Sequence, residues 1–350
     1  MEMDRKRVLR DGLYIALGIF LIIALLLRAD ISETVDRISS IDLKIVLLVF
    51  ALYCANLCVK VLRWWTLLRA MGIKRTGPSI APIFLASLAL NNSTPGKIGG
   101  EPVRALLLKE HSGAPLSSSA ASIFAEKSLD MLTILGFSLA GIVFLVIELG
   151  LDEVKGMAIG IVIGGVVIAG GIAMLSSRRM MKVVIEGGGN KAVSMLRGPL
   201  KDRTSRLVLK ATRALEKFHS SVHMFIKDKG YATASILLTI EIWLNEGFRL
   251  YLILLAMPGG GDVPFIGALA AIGVGNILGF ILPIGSGNVL GGTSVLYLLT
   301  GEEELSTAAS ITAVALSLWI SIPMGLASLL YLRKRTHRRS RDGEGSDEEE

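Results

Sequence analysis

Four short stretches of this chain hold residues able to do chemistry inside apolar surroundings. The first, 91–104, reads Asn-Asn-Ser-Thr-Pro-Gly-Lys-Ile-Gly-Gly-Glu-Pro-Val-Arg. Pro95 breaks a helix, and Gly96, Gly99 and Gly100 let backbone groups approach one another or a ligand. Pro102 suits the first turn of a following helix, whose free N–H groups would point back into the break. An anion is the natural guest there, with Lys97 and Arg104 adding charge and donors. Asn92 and Glu101 complete the polar set. A polar loop with ordinary turn chemistry is the bland alternative, but apolar half-helices on both sides favour a site.

Glu126 and Asp130 form the second set, four residues apart on one helix face, with Lys127 adjacent. They sit two to three turns in from a helix end. Ionisable groups at such depth are costly and face a cavity or a partner, here Arg104 or Lys97. The third set, Glu241, Asn245 and Arg249, makes a stripe at i, i+4 and i+8, with Glu246 one step round. Glu241 lies about 15 Å into its helix. The stripe serves either as a structural Glu–Arg network or as a polar lining for a passing headgroup. The fourth set, Pro283, Ser286, Gly287 and Asn288, is rich in accessible backbone. Its Ile-Gly-Ser-Gly run resembles the surroundings of an intramembrane serine nucleophile, but a base is missing. All four histidines (His111, His219, His223, His337) fall in loops or the tail. Nucleophilic hydrolysis therefore has little support, and the chain is not expected to be an enzyme. No cofactor or metal is expected. Cys54 and Cys58 share one apolar helix face and read as packing residues.

The elements that must position these residues are membrane helices. Gly156 to Ser176 carries no charge, nor does Leu305 to Leu332. Such runs suffice to cross a hydrocarbon core of about 30 Å. Charges are bunched between the apolar runs. The net charge of +7 sits beside membrane segments, so positive-inside bias and anionic headgroups explain it better than nucleic acid does. The apolar stretch from Gly12 to Leu27 follows Arg5, Lys6, Arg7 and Arg10, but Arg28, Ala29 and Asp30 replace a cleavage site. It reads as an uncleaved first span.

Six full spans are expected, near 12–28, 43–68, 118–149, 156–176, 231–257 and 305–332. Two further apolar stretches, Ile80–Leu90 and Phe265–Leu282, are short or broken by Gly and Pro, as re-entrant elements are. Basic residues cluster at the amino terminus, at Lys60 to Arg75, across 176–229 and at Arg333 to Arg341. Acidic residues dominate near Asp36, Asp262 and Glu302 to Glu304. With the amino terminus inside, every basic loop falls inside only if both broken segments return to the side they entered. The hairpin near 78–110 then enters from the cytoplasm and the one near 264–300 from outside. Span, hairpin, span thus occurs twice, over 43–149 and 231–332, in opposite orientations. Interrupted segments at matching positions of inverted halves point to a transport site. The expected fold is an all-α polytopic membrane protein of one transmembrane domain, 1–332, with a disordered cytoplasmic tail, 333–350. A helix near 200–226 in the basic loop lies either on the cytoplasmic leaflet or on the bundle.

Asn92-x-x-Pro95-Gly96-x-x-Gly99-Gly100-Glu101-x-x-Arg104, followed by Glu126-Lys127-x-x-Asp130, resembles the flippase-like family. That family includes the transmembrane region of lysylphosphatidylglycerol synthases. The likeness extends from the first span to about residue 332. It implies movement of a lipid between leaflets, with Arg104, Glu126 and Asp130 among the matching polar positions. Relatives end the second hairpin in a Pro-Gly-Gly-Leu-Gly-like run and a glutamate. Here Pro283 to Ser294 holds no acid, which puts a mechanism needing that carboxylate in doubt. The expected role is flippase- or scramblase-like transport of an anionic phospholipid or a polyprenyl phosphate in the cell membrane. Both termini are expected to be cytoplasmic, nucleic acid is not expected as a partner, and a homo-oligomer is compatible. A membrane enzyme acting on lipid headgroups, or a membrane subunit docking a soluble enzyme, are the alternatives.

Overall fold

A computed structural model describes residues 23, 30–73, 77–94, 99–195, 199–280, 282 and 285–344. The expected span at 12–28 lies outside the described residues except for Ile23. So do Pro95, Gly96, Lys97 and Pro283. The described residues form helices and their connections, with no strand among them.

The chain first forms a short amphipathic helix, α1 (Ile31–Ser39), and then α2 (Leu43–Ala70), whose start is capped by the Asp42 carboxylate on the Lys44 N–H at 2.8 Å. Two short helices follow, α3 (Ile80–Ser93) and α4 (Gly100–Ser112), and then the long α5 (Leu116–Leu149) and α6 (Leu151–Ser176). The basic segment contains α7 (Arg178–Lys182), α8 (Gly188–Met195) and α9 (Pro199–Lys227). It leads into α10 (Lys229–Leu255), the short pair α11 (Phe265–Gly279) and α12 (Ser286–Thr300), and finally α13 (Glu303–Glu344).

By length and composition, α2, α5, α6 and α13 can each cross a membrane. Helix α10 has 27 residues, enough for about 40 Å, but Glu241, Glu246 and Arg249 interrupt its apolar character. Helices α3, α4, α11 and α12 have 13 to 15 residues and reach only about 20 Å each. Residues 333–344, expected in the disordered tail, instead continue α13. Long basic side chains favour helix and suit its carboxyl end, and Arg335 anchors the extension by donating to Ser79 Oγ at 2.8 Å.

Packing between these helices is reciprocal. Helix α2 lies against α10, α5 against α11, and α13 against α3. If α2–α5 is matched to α10–α13 in order, the α2–α10 contact maps onto itself and the α5–α11 and α13–α3 contacts map onto each other. The pair α11 and α12 is held together backbone to backbone. Gly275 sits against Asn288 and Gly291, Gly287 lies against Leu278, and the turn enters through Gly285 at φ 72°. An antiparallel pair this close admits no side chain at those positions.

The second half of α9 packs on the bundle. Leu215 is buried, and Phe218, Val222 and Phe225 lie among Met71, Ala121 and Ala125. The opposite end of the molecule is held by a polar strap. Arg37 of α1 meets Glu302 at 2.7 Å, donates to Glu33 and reaches the Pro258 carbonyl at 3.0 Å. Glu302 is partly exposed, so screening limits each pair. Arg37→Ala is expected to lower stability by only about 0.2–1 kcal/mol. The same change should speed proteolysis near Gly259 measurably; unchanged cleavage there would show the strap to be incidental.

Candidate functional site

Helices α2, α3, α5, α10, α11, α12 and α13 line a partly open cavity of about 210 Å³. Asn91 and Asn92 enter it from α3 and Thr94 from just past its end, Glu126, Lys127 and Asp130 from α5, and Glu246 and Arg249 from α10. The opposite wall is Ala271, Gly275 and Gly292, with Asn276, Asn288 and Ser310 as its polar points.

Arg63 organises the charged wall. Its guanidinium donates to Asp130 Oδ1 at 2.5 Å and Oδ2 at 3.1 Å, and to Thr239 Oγ1 at 3.2 Å. It also lies 3.4 Å from Glu126 Oε1. Arg63 is 2% exposed, where an unpaired charge could not persist. Trp243 Nε1–H donates to Asp130 as well, at 3.0 Å. The other Glu126 oxygen accepts from Arg104 at 2.9 Å, and Arg104 lies over the rings of Trp64 and Phe84 at 5.0 and 5.1 Å. Arg104 thus supports the carboxylate from behind, where aromatic faces favour the cation.

The first motif is organised differently from its expected form. Asn91 Oδ1 accepts the Gly100 N–H at 2.6 Å, and Thr94 Oγ1 accepts the Gly99 N–H at 3.1 Å. These side chains occupy amide donors at the start of α4 that an anion was expected to take. Arg104, expected to bind phosphate, is buried and committed to Glu126. Glu101 accepts from Asn91 at 2.9 Å and pairs with Lys127 at 3.1 Å. Asn92 donates to Ser321 at 2.7 Å, tying α3 to α13.

On α10, Arg249 stacks over Tyr53 at 4.7 Å, bonds Glu246 and donates to Asn245 Oδ1 at 3.3 Å. Lys60 completes the group by meeting Glu246 at 2.9 Å. Asn245 is a positioning residue, held by Asn56 Nδ2 at 3.1 Å. Glu241, expected to line the site with Asn245 and Arg249, is exposed and outside the cavity lining. A four-residue step on a helix advances 400°, so a stripe of three drifts, and only its last member reaches the interior. On the second hairpin Asn288 faces the cavity, while Ser286 and Gly287 are buried in the pairing of α11 with α12.

Sequence reasoning missed Lys60 and Arg63 by counting them among the loop charges after the second span. Both lie within α2, and Asn56, Lys60 and Arg63 recur at i, i+4 and i+7 inside an apolar run. That spacing is the signal by which they could have been found. Trp243 and Tyr53 carry no such mark.

The chain matches the family described as lysylphosphatidylglycerol synthase TM region over residues 13–325. It belongs to that family. It is also similar to two UPF0104 membrane proteins of Methanothermobacter thermautotrophicus. One is 27% identical, over 92% of this chain and 95% of the relative, and the other is 26% identical over 95% of each. A UPF0104 membrane protein of Pyrococcus horikoshii is 25% identical, over 93% of this chain and 98% of its own. No solved structure matches the chain. Family membership and the apolar helices make this a multi-pass membrane protein, so the buried charges described above lie within a membrane domain.

Proposed function

We propose that this protein moves an anionic lipid with a small headgroup, a phospholipid or a polyprenyl phosphate, between leaflets without a covalent step. The observation that carries the reading is the charge of the cavity. Among the described residues four cations line it (Lys60, Arg63, Lys127 and Arg249) against three carboxylates (Glu126, Asp130 and Glu246), and with Arg104 on Glu126 and Glu101 on Lys127 included the balance is five cations to four carboxylates. A surplus cation in a membrane interior is costly unless an anion visits it. The facing wall of Gly275, Gly292 and Ala271 offers an apolar side past which acyl or prenyl chains can remain in lipid. The reciprocal contacts of α2–α5 and α10–α13 support an inverted repeat. In that arrangement α3 and α4 enter from the cytoplasmic side, α11 and α12 from outside, and both termini are cytoplasmic. Ordered cations near the midplane at two short hairpins suit a headgroup pathway. Lys60 and Lys127, each partly exposed and lining the cavity, take the role first assigned to Arg104, while Lys97 lies outside the described residues.

Reconstitution into liposomes holding fluorescent phosphatidylglycerol tests this, with lipid movement read by quenching from outside. Lys60→Gln and Lys127→Gln are each expected to slow movement by about tenfold, the loss of one charge-assisted hydrogen bond. Stability should barely change for Lys60→Gln, since Glu246 keeps Arg249. Movement of anionic and polyprenyl lipids no faster than in protein-free vesicles would end the proposal. Equal rates for a zwitterionic lipid would end its anionic part.

A further inference from the structure

The apolar stripe of α9 continues past the surface it packs on. At 100° per residue, Leu200, Leu207, Ala211 and Ala214 project on the same face as Phe218, Val222 and Phe225. The last three meet the bundle through Met71, Ala121 and Ala125. Leu200 and Leu207, by contrast, are 61% and 58% exposed. Helix α9 also packs on α7 and α8, and that packing leaves Leu200 and Leu207 open to whatever surrounds the bundle. Around a membrane bundle the surroundings are lipid.

Charge names the lipid. Arg206, Lys210, Arg213 and Lys217 form a row along one flank of the stripe, and all four are exposed. The whole segment 176–229 holds thirteen Lys/Arg against four Asp/Glu. An apolar stripe edged by cations is the pattern of a helix lying in a headgroup layer, and basic residues there favour anionic lipid. The segment leaves α6 at Ser176 and rejoins α10 at Lys229, so both of its ends are tied to membrane-embedded helices. We infer that the first half of α9, Pro199–Ala214, is an interfacial anchor that sinks Leu200 and Leu207 into an anionic leaflet surface. This surface is separate from the cavity, and the inference stands whether or not the cavity carries lipid.

The test uses the full chain with Cys54→Ser and Cys58→Ser, spin-labelled at Leu207→Cys. It is reconstituted into vesicles of phosphatidylcholine alone or with phosphatidylglycerol. In anionic vesicles the label is expected to be reached by oxygen and shielded from a water-soluble nickel relaxant. Replacing Arg206, Lys210 and Arg213 by Gln should reduce the inserted-to-exposed ratio by about fivefold per charge removed, as should high salt in part. Full water exposure in anionic vesicles would overturn the anchor. Equal insertion in phosphatidylcholine alone would overturn its preference for anionic lipid. Shielding from both oxygen and nickel would mean a protein partner covers the face, which also overturns it. A label at Leu237→Cys, exposed on α10, reports whether each variant remains folded and embedded.

Discussion

Arg63→Met is expected to destabilise the protein more than any other substitution in the cavity, by about 3–5 kcal/mol. Arg63 answers two carboxylates at once, Asp130 through two hydrogen bonds and Glu126 at 3.4 Å. Its removal leaves like charges four residues apart on α5, both buried. Arg104 still serves Glu126 and Trp243 still serves Asp130, but a neutral indole N–H cannot balance a carboxylate in low dielectric. Thermal unfolding in detergent, compared with wild type, gives the loss. Adding Asp130→Asn should recover a large part of it, because the second change removes the stranded charge. A double-mutant cycle showing no coupling between positions 63 and 130 would refute the assignment.

Gly275→Leu is expected to have the second largest effect, with both stability and lipid movement lost. A Cβ at 275 would meet the Asn288 carbonyl oxygen at 2.7 Å, and a larger side chain has only the cavity to enter. Neither neighbour is a flexible side-chain end, so α11 and α12 would have to separate. Overpacking of this kind costs about 1–3 kcal/mol or more. Gly160→Ala on α6 is the matched control. Nothing lies within 4 Å of a Cβ there, and helix propensity favours Ala by about 1 kcal/mol. If Gly275→Leu melted like wild type and moved lipid normally, the tight pairing would not exist in the working protein.

Much of this arrangement was legible because apolar length and charge placement are properties of sequence. Helices α2, α5, α6 and α13 announce themselves as long apolar runs, and Glu126 with Asp130 stands out as charge within one. What could not be read was pairing. Arg63 and Asp130 are sixty-seven residues apart, and nothing local to either names the other. Arg104 looked like a ligand because its charge is visible in sequence, whereas its burial between Glu126 and two aromatic rings is a tertiary fact. The donors at the start of α4 looked free for the same reason. Asn91 and Thr94 fill them only because the chain turns back there. Glu241 misled through a regular spacing that the helix does not keep on one face.

The two walls of the cavity differ in how far they can drift. The wall from α2, α5 and α10 is made of side chains, so substitutions can exchange its charges and, on the proposed role, change which headgroup it suits. The wall where α11 meets α12 rests on close backbone contact, Gly275 against Gly291 and Gly287 against Leu278, with Asn276 and Asn288 as its polar side chains. A contact without side chains offers mutation nothing to adjust. On the proposed role, new headgroup preferences would arise more readily on the side-chain wall, while the glycine contacts hold the hairpin fixed.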